Sequence, residues 1–154
     1  MDRIRLAAGA AVIAMMTGAA GADRAAASGL MAACKADIAK TCPDVAKGKG
    51  RITACLIAYD HRLSAGCGKE VRKFSNGRAY RKFVPAAMRS GKGPQLEAEL
   101  RKVCSPDIGR LCPGVKSGNG RILACLYARS GNVGKSCSSA ARQIADGRTD
   151  LSAF

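Results

Sequence analysis

Eight cysteines fall into two sets of four with one spacing, and no other feature limits the possible fold of this chain as strongly. Cys34, Cys42, Cys55 and Cys67 recur 70 residues later as Cys104, Cys112, Cys125 and Cys137, and both sets read C-x7-C-x12-C-x11-C. The residues between them agree as well. Asp37-Ile38 matches Asp107-Ile108, Cys42-Pro43 matches Cys112-Pro113, and Gly50-Arg51-Ile52 matches Gly120-Arg121-Ile122. The match runs on through Arg72, Gly77 and Arg78 to Arg142, Gly147 and Arg148. One unit is written twice in 154 residues, which excludes a large multidomain enzyme. Aromatic residues make up 4% and Trp is absent, so any core is built from small side chains and is thin. Covalent staples are the expected source of the missing stability.

Each copy reads as a small helical unit. Leu30, Cys34, Ile38 and Cys42 recur at i, i+4, i+8 and i+12, an apolar stripe along one helix face, with Lys35 and Lys40 off it. Leu100, Cys104, Ile108 and Cys112 repeat the stripe. Pro43 and Pro113 end that helix, and Gly48-Lys49-Gly50 and Gly118-Asn119-Gly120 supply a turn. A second helix follows, with Ile52, Cys55, Leu56 and Tyr59 on one face in the first copy and Ile122, Cys125 and Leu126 in the second. Ser64 is placed to cap a third, short helix that carries Cys67 in its first turn, and Gly77 to end it. In the second copy the stretch 131–136 is expected to separate the last two helices more loosely.

Four cysteines allow three pairings per unit, and spacing alone leaves all three open. An antiparallel hairpin of the first two helices brings Cys42 near Cys55 beside the turn and leaves Cys34 to meet Cys67 as the chain folds back. The pairing this favours is Cys42 with Cys55 and Cys34 with Cys67, repeated as Cys112 with Cys125 and Cys104 with Cys137. In the chain-entropy picture the shorter loop contributes about 3 kcal/mol and the longer about 4 kcal/mol. Together they rival the net stability of a small domain.

Persistent disulfides need an oxidising compartment, and the N-terminus offers a route to one. Residues 1–22 carry Arg3 and Arg5, an uncharged apolar run from Leu6 to Thr17, and the small residues Ala20-Gly21-Ala22. That is the order of a cleavable export signal, with Asp23 as the first mature residue. An uncleaved membrane anchor is the weaker expectation, because the uncharged stretch from Leu6 to Ala22 is at the lower limit for a span. The expected location is the periplasm or the exterior. The expected organisation is a signal peptide at 1–22, a first repeat at 23–78, a basic linker at 79–98 and a second repeat at 99–154.

Taken together, Cys34, Asp37-Ile38, Cys42-Pro43, Val45, Gly50-Arg51-Ile52, Cys55-Leu56, Leu63-Ser64 and Cys67 resemble the cysteine-rich repeat family of the Golgi apparatus protein, also called cysteine-rich fibroblast growth factor receptor and E-selectin ligand. The resemblance covers about 34–78 and 104–148, with the second copy departing at Val133-Gly134, where the serine cap is missing. It implies a short, two-repeat member that is disulfide-bonded, exported or luminal, and engaged in binding rather than catalysis. The animal protein's growth-factor and selectin ligands do not carry over to a chain of two repeats. The fold transfers better than the function.

Other chemistries fit the residues less well. Zinc sites bring ligands in close pairs such as C-x2-C, whereas the shortest cysteine gap here is seven residues and His61 is the single histidine. No metal and no other cofactor is expected. Thiol redox chemistry wants C-x-x-C at a helix start, and no hydrolase, zinc-protease or P-loop motif is present in the sequence. His61 has Gly131 as its counterpart and reads as a solvated residue near a helix end. Asp37 and Asp107 recur, as do Arg51 and Arg121 at the start of the next helix. The expectation is a structural ion pair in each hairpin, Asp37 with Arg51 and Asp107 with Arg121, contributing no more than about 1 kcal/mol if exposed.

Charge is the remaining signal. With 26 Lys+Arg against 11 Asp+Glu the formal net charge is +15, which favours acidic partners. Between 68 and 95, Lys69, Arg72, Lys73, Arg78, Arg81, Lys82, Arg89 and Lys92 stand against the single acid Glu70, with Phe74, Tyr80 and Phe83 interleaved. Cations with aromatic faces between them engage phosphates, sulfates or lipid headgroups, in a salt-dependent way. The plainer reading is a solvated basic linker whose aromatics cover the ends of the two units. The sequence therefore describes an all-α chain of tandem, disulfide-stapled helical-hairpin repeats joined by a basic linker. Its expected role is a non-enzymatic binding or structural module for a protein or glycan partner. The alternative is a binder of anionic lipid or polysaccharide through 68–95, and nucleic acid is the partner least favoured.

Overall fold

The i, i+4 stripe of the first helix becomes a ladder of backbone hydrogen bonds. Cys34 N–H donates to Leu30 O, Ile38 N–H to Cys34 O and Cys42 N–H to Ile38 O, at 3.0, 2.8 and 2.9 Å. The computed structural model describes residues 28–75 and 86–146. The expected signal segment, the helix end at Gly77, and Arg78, Tyr80, Arg81, Lys82 and Phe83 lie outside the described residues. In the first copy a helical stretch at 28–33 leads into α1 (Lys35–Thr41), followed by α2 (Arg51–Ala58), a 3-10 turn (Asp60–Arg62) and α3 (Ala65–Ser75). A short α4 (Ala86–Arg89) precedes the second copy, which consists of α5 (Gly93–Leu111), α6 (Arg121–Ala128) and α7 (Lys135–Ala145). No strand occurs among the described residues, and the fold is all-α.

Helix α5 begins earlier than the sequence reading placed it, inside the stretch 79–98 assigned to a linker. Leu96 continues the stripe of Leu100, Cys104 and Ile108 by one turn, and both Leu96 and Leu100 are buried. Pro94 sits in the first turn of α5, where its missing N–H has no helical partner to lose. The loop before α7 lacks the 3-10 turn and the serine cap of its counterpart, as expected of a looser connection, although one turn hydrogen bond recurs. Arg62 N–H bonds Tyr59 O at 2.8 Å in the first copy, and Asn132 N–H bonds Arg129 O at 2.9 Å in the second.

Four disulfides staple the helices and leave no cysteine free. Cys34 joins Cys67 and Cys104 joins Cys137, with Cα atoms 4.7 and 4.8 Å apart. Cys42 joins Cys55 and Cys112 joins Cys125, at 6.2 and 6.0 Å. The long bridge ties the first helix to the third. The short one closes the hairpin beside its turn. That turn holds three consecutive residues in the left-handed region: φ is 90°, 52° and 74° for Gly48, Lys49 and Gly50, and 94°, 53° and 68° for Gly118, Asn119 and Gly120. Glycine enters this region without a β-carbon clash, which accounts for the two flanking glycines in both copies.

The arginine after each turn is a strap. Arg51 Nε donates to Ala46 O at 3.0 Å and Nη2 to Lys47 O at 2.6 Å. Arg121 does the same to Lys116 O and Ser117 O at 3.1 and 2.7 Å. The recurring Gly-Arg-Ile is thus a left-handed helix entry, an arginine that satisfies loop carbonyls, and an apolar residue turned to the core.

The two copies form their most extensive contact through α2 and α6. Besides the face predicted from sequence, Thr53, Ala54, Ile57 and Ala58 of α2 and Leu123, Ala124 and Ala128 of α6 are buried. These helices are covered on both sides, by their own hairpin and by the other copy. Across this seam Tyr127 Oη donates to Lys49 O at 2.7 Å, and Arg121 Nη1 reaches Asp60 Oδ2 at 3.4 Å.

Candidate binding surface

The recurring carboxylate sits where α1 passes the start of α3. Asp37 Oδ1 accepts from Ser64 N–H at 2.9 Å and Oδ2 from the Ser64 hydroxyl at 2.7 Å. Ser64 Oγ in turn accepts from Cys67 N–H at 3.4 Å, the expected cap of the third helix. The Ser64 hydroxyl and then its N–H hold the Asp37 carboxyl below the ordinary carboxylate range, with Lys40 adding to the effect and burial opposing it. In the second copy Asp107 Oδ2 accepts from Gly134 N–H at 3.0 Å, and its Oδ1 pairs with Arg110 Nη2 at 2.6 Å. Arg110 also bonds Asn132 O at 2.8 Å.

The expected ion pairs are therefore corrected. Asp37 does not pair with Arg51, nor Asp107 with Arg121. Both arginines turn back onto carbonyls of the preceding loop, and both aspartates turn toward the start of the third helix. Arg121 finds its carboxylate in the other copy, at Asp60. The recurrence of Asp was a sound signal of importance, but its partner lies 27 residues on, and no pattern of helical spacing points that far.

Three residues that sequence reasoning did not single out also hold the structure. Asp60 lies between Arg121 of the second copy and His61, whose Nδ1 is 3.6 Å from Asp60 Oδ1. Tyr127 bridges the seam. Glu97 is buried on α5, and its Oε2 accepts from Gly118 N–H at 2.7 Å. An acidic residue on the apolar side of a helix, one position after Leu96, was the available clue to Glu97.

The basic residues divide into two groups. Lys69, Arg72 and Lys73 are exposed along α3, where Lys73 bonds Glu70 at 2.7 Å. Arg89 closes α4 and Lys92 precedes α5, both exposed. Phe74 packs against the core, so one of the three interleaved aromatics covers the end of its unit. Among the described residues, no three His, Cys, Asp or Glu side chains are grouped as a metal site would require, and no helix is long and apolar enough to cross a membrane.

Comparison with known proteins bears on the same residues. A sequence profile described as a cysteine rich repeat matches 10–64 and 89–134, more than half of the chain. Golgi apparatus protein 1 of Gallus gallus is 31% identical over 104 residues, covering 61% of this chain and 8% of that protein. The Rattus norvegicus and Homo sapiens proteins of the same name are 28% and 27% identical over 115 residues, covering 68% of this chain and 9% of theirs. The chain thus spans less than a tenth of the length of these relatives. No solved structure matches it.

Proposed function

We propose, from the premise that this chain belongs to the cysteine rich repeat family, that it is an exported, non-enzymatic binding or structural module for a protein or glycan partner. One observation carries the reading: two stapled copies share a buried seam through α2 and α6. A surface held in this way binds without the entropic cost of ordering itself. The bridges also favour an oxidising compartment. The test is the intact mass of the protein recovered from the envelope of its host, with and without thiol alkylation in the absence of reductant. The expected result is a chain starting near Asp23 that carries no alkyl adduct. Alkylated thiols at the eight cysteines would overturn both the compartment and the stapled module.

A second reading is supported by the exposure of Lys69, Arg72, Arg89 and Lys92. Here the segment 68–95 binds anionic lipid or acidic polysaccharide. Replacing Arg78, Arg81 and Lys82 by Ala together separates the readings. Lost binding to acidic vesicles or polysaccharide supports the second, and unchanged binding removes it.

A further inference from the structure

Packing the two copies together creates a groove that neither copy contains alone. We propose that this groove is an oxyanion site, taking a phosphate or sulfate group as the free ion or as an ester on a compact organic body. Lys40, Thr41, Pro43, Tyr59 and Arg62 of the first copy face Pro113 and Arg129 of the second across a space of about 500 Å³. Three of these seven are cations and none is an acid. Asp44, next along the chain to Pro43, is exposed and is not part of the lining; Asp37 is bound by Ser64, and Asp60 Oδ2 faces Arg121.

Three further observations separate this groove from an ordinary basic surface. First, Arg129 Nε is out of contact with solvent and has no hydrogen-bond partner among the described residues. Its Nε–H is thus not tied to a carboxylate, and the Arg129 side chain lines the groove with a positive charge that an anion there would meet. Second, Arg62 is held in place. Its guanidinium lies over the Tyr59 ring, 5.5 Å from the centroid, and its Nη2 occupies the position that a β-carbon at residue 114 would take. Third, that position is Gly114 in the second copy and Asp44 in the first. The glycine both admits the Arg62 guanidinium and keeps a carboxylate away from it.

The chemistry narrows the ligand. Two guanidinium groups present paired N–H donors that match the oxygens of phosphate and sulfate, and Lys40 adds a third charge. Pro43, Pro113 and Tyr59 offer apolar faces beside the cations, suited to the carbon skeleton of an ester. The site differs in place from the basic segment 68–95 and does not depend on it.

The test uses the full chain with its bridges intact and follows the Arg Nε–H signals by NMR. The probes are inorganic phosphate, glucose 6-phosphate and a sulfated disaccharide, with glucose as the neutral control. The expected result is a saturable shift of Arg129 and Arg62 with the anions and none with glucose. A tighter Kd for glucose 6-phosphate than for inorganic phosphate assigns the site to an ester; equal values assign it to the free ion. Arg129→Gln and Gly114→Asp are each expected to raise Kd at least about tenfold. Removing two exposed cations elsewhere, Lys35→Ala with Lys135→Ala, is expected to leave it unchanged, as is the triple replacement of Arg78, Arg81 and Lys82. Arg129→Gln is the milder change and decides the matter if Gly114→Asp disturbs the left-handed backbone at 114. Shifts that do not saturate, binding that survives Arg129→Gln, or an equal loss in the Lys35/Lys135 variant would overturn the site.

Discussion

Asp37 shows how a single side chain is assigned its work by competition among partners. A carboxylate three positions after the first cysteine of its hairpin would be free to meet the arginine that opens the next helix, if that arginine had nothing nearer. Arg51 has two loop carbonyls within reach, and Ser64 offers Asp37 two donors at once. A bidentate, partly buried acceptor for one backbone N–H and one hydroxyl outweighs a solvent-screened ion pair. Asp37→Ala is therefore expected to lower stability by about 2–3 kcal/mol, and Ser64→Ala by about 1 kcal/mol through the lost cap and hydroxyl bond. Urea unfolding with the bridges intact measures both. The double variant should cost less than the two single changes added together, because the two side chains share one interaction. The pH dependence follows from the direction of the shift. Asp37 is held below its ordinary value of 3.8 when folded, so its contribution is complete above that value and is lost as pH falls through the lower, folded one. Asp37→Asn should flatten the acid side of the stability profile and leave neutral pH free of any new slope.

At the scale of elements, the turn between the first two helices was legible as a turn and illegible in its detail. Two glycines flanking one residue announce a break in the helix, but the run of three left-handed residues appears only in the backbone. The two copies occupy the central position differently, with Asn119 in one and Lys49 in the other. Asparagine tolerates that region far better than lysine does. Lys49→Asn should raise stability by up to about 1 kcal/mol, and the bond from Tyr127 survives because it lands on the backbone carbonyl. Gly50→Ala should lower stability by about 1–2 kcal/mol at the same turn. Thermal unfolding of the oxidised protein checks both. The apolar stripe of the first helix was readable, because i, i+4 spacing from Leu30 to Cys42 has one structural meaning, whereas the break in the helix at Cys34 was not. The start of α5 was not, since Lys92-Gly93-Pro94 reads as linker until Leu96 is recognised as the next step of the stripe.

The whole molecule holds what the sequence concealed most. Helix α2 is apolar nearly all round, and such a helix is buried on every side, yet nothing in its own letters names the partner. The pairing of α2 with α6 is a property of the doubled chain: each copy supplies the cover that the other lacks. The bridges and the seam then act on different states. The disulfides restrict the unfolded chain, and removing the Cys34–Cys67 bridge should cost about 4 kcal/mol against about 3 kcal/mol for the shorter Cys42–Cys55 bridge. The seam acts in the folded state and couples the copies. Ile57 lies on the α2 face opposite to Cys55 and is 3% exposed, so Ile57→Ala removes buried packing at a cost of about 2–4 kcal/mol without touching a bridge. If the copies form one cooperative body, that loss in the first repeat must appear as faster amide hydrogen exchange in α6 of the second, as well as in α2. Faster exchange confined to 28–75 would mean that each stapled unit stands alone, and the groove between them would then have no fixed shape to offer a ligand.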